Sequence, residues 1–309
     1  VLFRSGVIRY VGQYFNTKPH RILSIKKHTK TEYTFRVACD NLPEYGQFFM
    51  LSIPKVGEAP ISCSGRGDDW EEFTIRNTGM VTKAIFDLTV GSTIFLRGPY
   101  GNHFPVEEEF EGKHLLVICG GTAMAPVLIM LNHFYENPQL AKSVYLICGF
   151  KDHNAILFRD EIEKFRDRIN VIATLDIESY ENFEEGMVTA HIGKIPINEW
   201  GDDYNIVIVG PPVMFKFASM ECLKNGAKEA KMMSELNVKV LNKGAKEQIL
   251  SEVQNNKFIA NLKEIVSLFT TKSGLKAVKA QFNPEVLKYR TENFLKFFIF
   301  SNMFLIVYL

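Results

Sequence analysis

Leu115-Leu116-Val117-Ile118-Cys119-Gly120-Gly121-Thr122-Ala123-Met124-Ala125-Pro126 is the stretch whose reading decides the fold. Its five apolar residues read as a strand buried on both faces, the habit of a parallel sheet. Two glycines then make a turn, and Ala125 to Tyr135 has the spacing of a helix. Such a turn presents backbone N–H groups and about half a unit of positive charge at the carboxyl edge of a sheet, which suits a dinucleotide pyrophosphate. The glycines depart from G-x-G-x-x-G and serve equally well for a tight steric turn.

Outward from that stretch the same rhythm repeats. Val144 to Cys148, Ile169 to Thr174 and Ile206 to Val209 are further apolar runs, Leu157 to Phe165 is helical in spacing, and Pro211-Pro212 opens a last helix through Leu223. Residues 112–229 are therefore expected to form a doubly wound α/β domain with a parallel sheet. Its fourth strand ends in Gly210-Pro211-Pro212-Val213-Met214, on the ligand-binding edge, although Gly210 and Pro212 also simply end a strand and start a helix.

Residues 7–105 read differently. His20 to Lys27, Glu32 to Cys39, Phe48 to Ile53, Glu72 to Asn77 and Thr93 to Arg97 are short segments separated by Gly, Pro and Asn turns, the pattern of an antiparallel barrel or sandwich. Ala59 to Ser64 and Thr74 to Thr82 end strands with hydroxyl residues, which suit a flavin ring and a phosphate and are also ordinary turn chemistry. Arg97 to Phe104 carries closely spaced Gly and Pro, a rigid corner between the halves.

The chain has 309 residues, 46% hydrophobic and 23% charged, enough apolar material for about two cores. Lys plus Arg number 36 against 35 Asp plus Glu, so no global field steers it to nucleic acid or an anionic membrane. The balance breaks near residue 230, with net −5 before it and net +6 after. Residues 230–309 space Ile249, Val253, Phe258, Leu262, Val266 and Phe269 as an amphipathic helix, an expected helical extension without a chemical constellation. Phe297 to Leu309, at 13 residues, falls short of the roughly 20 a bilayer span needs.

Cys39, Cys63, Cys119, Cys148 and Cys222 lack C-x-x-C spacing, and the histidines lack ligand spacing, so His103, His114 and His191 are expected as surface or loop residues and no metal is expected. Glu107 to Glu109 and Glu111 read as a solvated linker. G-x-S-x-G and G-x-x-x-x-G-K-[ST] do not occur, which removes the simplest hydrolase and NTPase readings. The absence of a signal pattern at Val1 to Ser5 leads to the expectation of a cytoplasmic protein.

Taken in order, Gly46-Gln47-Phe48, Pro60-Ile61-Ser62, Gly79 to Thr82, Gly98-Pro99-Tyr100-Gly101-Asn102, Gly120-Gly121-Thr122 with Ala125-Pro126, and Gly210-Pro211-Pro212 with Met214 resemble the ferredoxin-NADP reductase family over residues 7–229. Within it the likeness is nearest to the B subunits of anaerobic sulfite reductases, then to the electron-transfer subunits of dihydroorotate dehydrogenases. The resemblance implies a barrel holding FAD, an α/β domain holding NADH or NADPH, and electrons passed to catalytic and iron–sulfur partner subunits. It places Ser62 by the reactive flavin nitrogen and Tyr100 in the corner between cofactors as the catalytic positions. Pro60 and Ile61 lie beside the ring, and Gly79, Val81 and Thr82 at the FAD pyrophosphate. Gly120, Gly121 and Thr122 face the nicotinamide dinucleotide, and Gly210, Pro211 and Met214 line its nicotinamide end.

Three positions depart from the family pattern. Ala59 stands where many relatives have arginine, Val209 where they often have cysteine, and no cysteine follows Cys222 where near relatives ligate a [2Fe-2S] cluster with four thiolates. A non-catalytic nucleotide-binding assembly module is the alternative those departures raise.

Overall fold

The structure, a computed structural model, describes residues 17–234. Strands β1 (Lys18–Lys27), β2 (Glu32–Ala38), β3 (Phe48–Ile53), β4 (Gly57–Arg66), β5 (Trp70–Arg76) and β6 (Thr93–Tyr100) close into an antiparallel barrel in the order β1-β2-β5-β4-β3-β6. Alternate residues fill it: Phe35 and Val37, Phe49 and Leu51, Phe73 and Ile75 are wholly buried, each side chain contributing about 2 kcal/mol of apolar transfer. Helix α1 (Met80–Phe86) follows β5 and packs on β3 and β4.

The second half is a parallel sheet of β7 (His114–Gly120), β8 (Ser143–Phe150), β9 (Asn170–Leu175), β10 (Glu184–Glu185), β11 (Tyr204–Val209) and β12 (Met232–Ser234), ordered β10-β9-β8-β7-β11-β12. The chain builds outward from β7 to β10 and then returns to the other side of β7. The switch point thus falls between β7 and β11, the position at which ligands bind in such sheets. Helices α2 (Leu128–Glu136), α3 (Arg159–Phe165) and α4 (Pro212–Lys224) accompany it. Leu115, Val117 and Cys119 share one apolar core with the barrel's Phe49 and Phe73, whereas Leu116 and Ile118 pack on the other face with Ala218 and Cys222 of α4.

The expected two-domain class is the observed one, with local differences. Ala59 to Ser64 lies inside the ten-residue β4 rather than at a strand end, because a bulge at Ser64 lets β4 continue past Cys63 against β5. Residues 121–127 form a 3-10 turn before α2 begins, Pro126 lacking the N–H that a regular helix would use. Met232 to Ser234, expected in the extension, pair with Ile206 to Ile208. His114 and His191 are not loop residues on the surface: His114 lies on β7 with its ring stacked 5.0 Å from Trp200, and His191 is buried beside Glu185. The helical reading of residues 235–309 and the Phe-rich end lie outside the described residues. Among the described residues no helix is long and apolar enough to cross a membrane.

Glu71 is the anomaly of the barrel. It alternates with Phe73 and Ile75, so its side chain enters the interior, where no N–H or O–H group among the described residues donates to its carboxyl oxygens and the weakly donating Cys39 thiol is its polar neighbour. Burial pushes its pKa up from 4.5 to about 8. Between those values the unfolded chain is ionised while the folded chain keeps its proton, so stability falls as pH rises from 4.5 to 8. Relative to wild type, Glu71→Gln is expected to remove that slope, a difference of about 3 kcal/mol accumulated by pH 7 at about 1.4 kcal/mol per pH unit. Urea unfolding at a series of pH values measures it, and parallel pH profiles for the two proteins would refute it.

Candidate functional site

On the barrel side, β4 lies between β3 and β5, with Phe48 opposite Ser62, Phe49 opposite Ile61 and Met50 opposite Pro60. Phe48 also pairs with Tyr100 on β6, so Ser62 and Tyr100 flank one residue. Pro60 is exposed, Ile61 and Ser62 are half-buried, and Tyr100 is buried with its hydroxyl oxygen 3.2 Å from Arg97 Nη1. The turn into α1 is built by Thr82. Its hydroxyl accepts from the Thr78 and Gly79 N–H groups at 2.9 Å and donates to the Gly79 carbonyl at 3.0 Å. The N–H groups of Met80 and Val81, in the first turn, have no intrahelical acceptor. A Cβ on Gly57 would lie 3.4 Å from Val81, so this turn runs beside the start of β4.

Between β4 and β1 runs a buried line of hydroxyls. Ser64 meets Thr74 at 2.9 Å, Thr74 meets Thr34 at 2.7 Å, and Thr34 meets His28 Nε2 at 2.7 Å. Burial, aided by the Lys26 charge, lowers the His28 pKa, which favours a neutral imidazole. Its ring lies 4.9 Å from Phe158, a residue held at φ +55° as the cap of α3. Lys26 adds ion pairs to Asp160 and Glu161 at 3.0 and 3.1 Å across the same seam.

On the α/β side, the parallel register sets Val209 against Cys119, which brings Gly210 beside Gly120. The Met214 thioether fills the space over both: its sulfur lies 3.2 Å from where a Cβ on Gly120 would be and 2.8 Å from one on Gly210. Pro211 is exposed, and Gly121 and Thr122 are half-buried. Gly121, at φ +57°, lies with its Cβ position 3.6 Å from Arg76 Nη2. Arg76 Nε in turn donates to Glu32 at 2.5 Å. Burial opposes ionisation of Glu32, but hydrogen bonds from Thr29, Thr31 and Arg76 hold its carboxyl below the usual range. The 3-10 turn 121–127 packs on β4 and β5, which joins the two groups of turns.

The geometry brings two groups of glycine turns, one from the barrel and one from the α/β domain, to a shared seam. The profile of the oxidoreductase NAD-binding domain matches residues 117–220. Sulfhydrogenase 2 subunit gamma of Pyrococcus furiosus is 33% identical over 228 residues, 67% of this chain and 78% of that protein. The chain belongs to the ferredoxin-NADP reductase family. A probable dihydroorotate dehydrogenase B (NAD(+)) electron transfer subunit of Methanocaldococcus jannaschii is 32% identical over 63% of this chain and 69% of its own length. The ferredoxin NADP+ reductase of Neisseria gonorrhoeae, solved with bound FAD and NADP, has the same fold, with a TM-score of 0.60 at 21% identity over 71% of this chain and 97% of that one. Members of the family are flavin-dependent NAD(P)H oxidoreductases, and this chain is one of them.

Within this reductase the departures acquire a physical setting. Ala59 leaves the outer part of β4 without its own cation, and the Arg97 guanidinium nearby is bound by Glu58 and Tyr100. Arg76, at the end of a strand expected from sequence, was not singled out there. Its place beside Gly121 depends on tertiary packing, which no local pattern announces. Val209 is wholly buried. The hydroxyl line was equally hidden, since Thr34 and Thr74 lie 40 residues apart.

Two glycines differ in what a side chain at their position would meet. Gly46, at φ +84°, has the Phe104 ring 2.6 Å from its Cβ position, whereas Gly210 meets the flexible end of Met214. Gly46→Ala is expected to cost about 2 kcal/mol or more from left-handed strain plus overlap. Gly210→Ala should cost under about 1 kcal/mol, because Met214 can swing away. Thermal unfolding of the two variants tests the ordering, and equal losses would contradict it.

Proposed function

We propose that this chain is the diaphorase-type electron-transfer subunit of a redox complex, oxidising NADH on bound FAD and passing electrons singly to catalytic and iron–sulfur partner subunits. The observation that carries the reading is the packing of the glycine turn 121–127 on β4 and β5, the strands that lead to Ser62 and to the Gly79–Thr82 turn. FAD suits the donors present: N–H groups of Met80 and Val81 without helical acceptors, Arg76 beside them in sequence, and a half-buried Ser62 hydroxyl. Pro60 and Ile61 would flank its ring, and Gly79, Val81 and Thr82 would receive its pyrophosphate. Gly120, Gly121 and Thr122 would receive the dinucleotide phosphates, while Gly210, Pro211 and Met214 would line the nicotinamide end.

When bound, the flavin supplies acceptance of a hydride and its release as single electrons. The protein supplies position. Ser62, held between its neighbours on β3 and β5, presents a hydroxyl to the reacting edge, and Tyr100, anchored by Arg97, closes the corner against water. The donor is NADH rather than NADPH because the carboxyl ends of β8 and β9 are acidic. Asp152, Asp176, Glu178 and Glu181 stand there and outnumber the exposed Lys151, Arg159 is already paired to Glu181 at 2.5 Å, and His153 is bound to Glu178 at 2.8 Å. A 2′-phosphate would meet unfavourable charge at that edge.

The terminal acceptor on this reading is a sulfur-reducing catalytic subunit. Resemblance to sulfite reductase B subunits and the similarity to Pyrococcus sulfhydrogenase gamma both support it. A dihydroorotate dehydrogenase-type partner is the alternative, favoured by the Methanocaldococcus relative. Residues 223–309 contain no cysteine, so that stretch itself cannot supply the four thiolates of a cluster. Five buried thiols suit the reducing cytoplasm. The non-catalytic reading rests on Ala59 and the missing cluster ligands.

Anaerobic titration of the FAD-loaded chain separates these readings. NADH is expected to bleach the flavin band at least about tenfold more efficiently than NADPH, and Ser62→Ala should slow bleaching by about 10- to 100-fold with FAD still bound. Absence of bleaching with both donors would hand the chain to the non-catalytic reading.

A further inference from the structure

A side chain on α2 reaches out of the α/β domain to the barrel. His133 Nδ1 lies 3.3 Å from the Tyr45 hydroxyl and His133 Nε2 lies 3.1 Å from Glu111 Oε1. Glu111 only accepts, which assigns the ring proton to Nε2 and leaves Nδ1 to accept from the Tyr45 O–H. The Tyr45 ring meets the imidazole edge-on at 5.5 Å, and the Arg66 guanidinium sits 4.9 Å from that ring's centre while donating to the Pro43 carbonyl. Burial raises the phenol above its ordinary value, so Tyr45 stays a hydroxyl donor. Glu111 closes the acidic run expected to be solvated linker, and here it is engaged.

What this bridge connects gives it a role. Tyr45 leads through Gly46 to Gln47, whose carbonyl accepts from Cys63 N–H at 3.0 Å and whose side-chain amide donates to the Gly101 carbonyl at 2.9 Å. Cys63 directly follows Ser62, and Gly101 directly follows Tyr100. The Tyr45 carbonyl also accepts from Phe104 N–H at 2.8 Å. On the other side, α2 directly continues the turn 121–127, and Glu111 stands three residues before β7, the strand that ends in Gly120. One imidazole therefore ties the turn behind the flavin-side residues to both ends of the dinucleotide-side unit. Apolar packing supplies cohesion at the seam but little directional preference, whereas hydrogen bonds fix direction.

We propose that His133 is a positioning residue for hydride transfer: by holding Tyr45 and Glu111 together it sets the offset between the dinucleotide turn and Ser62 and Tyr100. The proposal rests on the NADH-oxidising reading above. Misplacement of reacting groups by about 1 Å can cost 100-fold in rate, so a lost bridge registers in the rate before it registers in binding.

The test uses the full chain with Tyr45→Phe, His133→Ala, His133→Gln and the double variant Tyr45→Phe/His133→Ala. Stopped-flow reduction by NADH should show the limiting rate lowered about tenfold in each of the first two. The NADH dissociation constant and FAD content should stay within twofold, and the double variant should lose no more than either single. His133→Gln, which can still donate to Glu111 and accept from Tyr45, should recover to within about threefold of wild type. In the flavin-free chain, hydrogen exchange at the Cys63 and Phe104 amides should quicken about tenfold on His133→Ala. Unchanged limiting rates and exchange, or a slower rate that merely follows lost FAD, would overturn the proposal. If His133→Ala does not fold, Tyr45→Phe decides the matter, since it removes one oxygen and keeps the ring. Wild type that no donor reduces would fail the parent reading, while the flavin-free exchange would still report whether the bridge holds the turn.

Discussion

Residues 121–127 lie on β4 and β5 with Met124, Ala125, Pro126 and Val127 buried, and the core that receives them continues into the barrel through Phe49 and Phe73. Two consequences follow from that one contact. The glycine turn at the head of the segment cannot move without opening an apolar core, and β4 and β5 cannot relax without disturbing the turn. Close packing makes such seams stiff, because their side chains interlock and leave few voids. Hydride transfer needs that property, since its rate depends on holding two groups at near-contact distance.

The seam's polar groups are arranged as continuations of this packing. Lys26 with Asp160 and Glu161 lies largely in solvent, where an ion pair contributes about 1 kcal/mol at most. The Ser64–Thr74–Thr34 hydroxyls are buried, the line ends at half-buried His28, and every link is at hydrogen-bond distance, so it carries no desolvation penalty of an orphaned hydroxyl. Glu71, only a few residues away on β5, is the contrast: among the described residues it has no stronger donor than the Cys39 thiol, and it keeps its proton instead. A barrel that tolerates one such acid has stability supplied elsewhere, chiefly by apolar burial in its interior, where the Phe49 and Phe73 rings also pack edge-on at 5.4 Å.

The parts of this architecture that were readable from sequence are those with a local signature. The apolar runs ending at Cys119, Cys148 and Val209 announced parallel strands, because burial on both faces leaves no polar alternation to confuse the period. The order of glycine and proline motifs announced the family. What stayed hidden was set by tertiary position. The β4 bulge at Ser64 depends on pairing with a strand not yet made. The 3-10 start at Gly121 competes with a helical spacing that looks equally good from Ala125 onward, and His191 is buried by β10, a two-residue strand with no pattern of its own. Candidate site residues followed the same rule: Gly120 and Gly210 stand out by type, whereas Arg76 and His133 stand out only by what folds against them.

That distinction bears on Ala59. With alanine at position 59, cofactor charge near the start of β4 must be balanced by groups from elsewhere, and two nearby guanidinium groups are already engaged. Arg97 is bound by Glu58 and Tyr100, and Arg76 Nε by Glu32. The second edge of the Arg76 guanidinium faces Gly121, so on the proposed reading one positive charge stands within reach of both glycine turns. Guanidinium geometry permits this division, since its five donors lie in a fixed plane and two edges can engage different partners. A lysine at the same position would have to choose one of them.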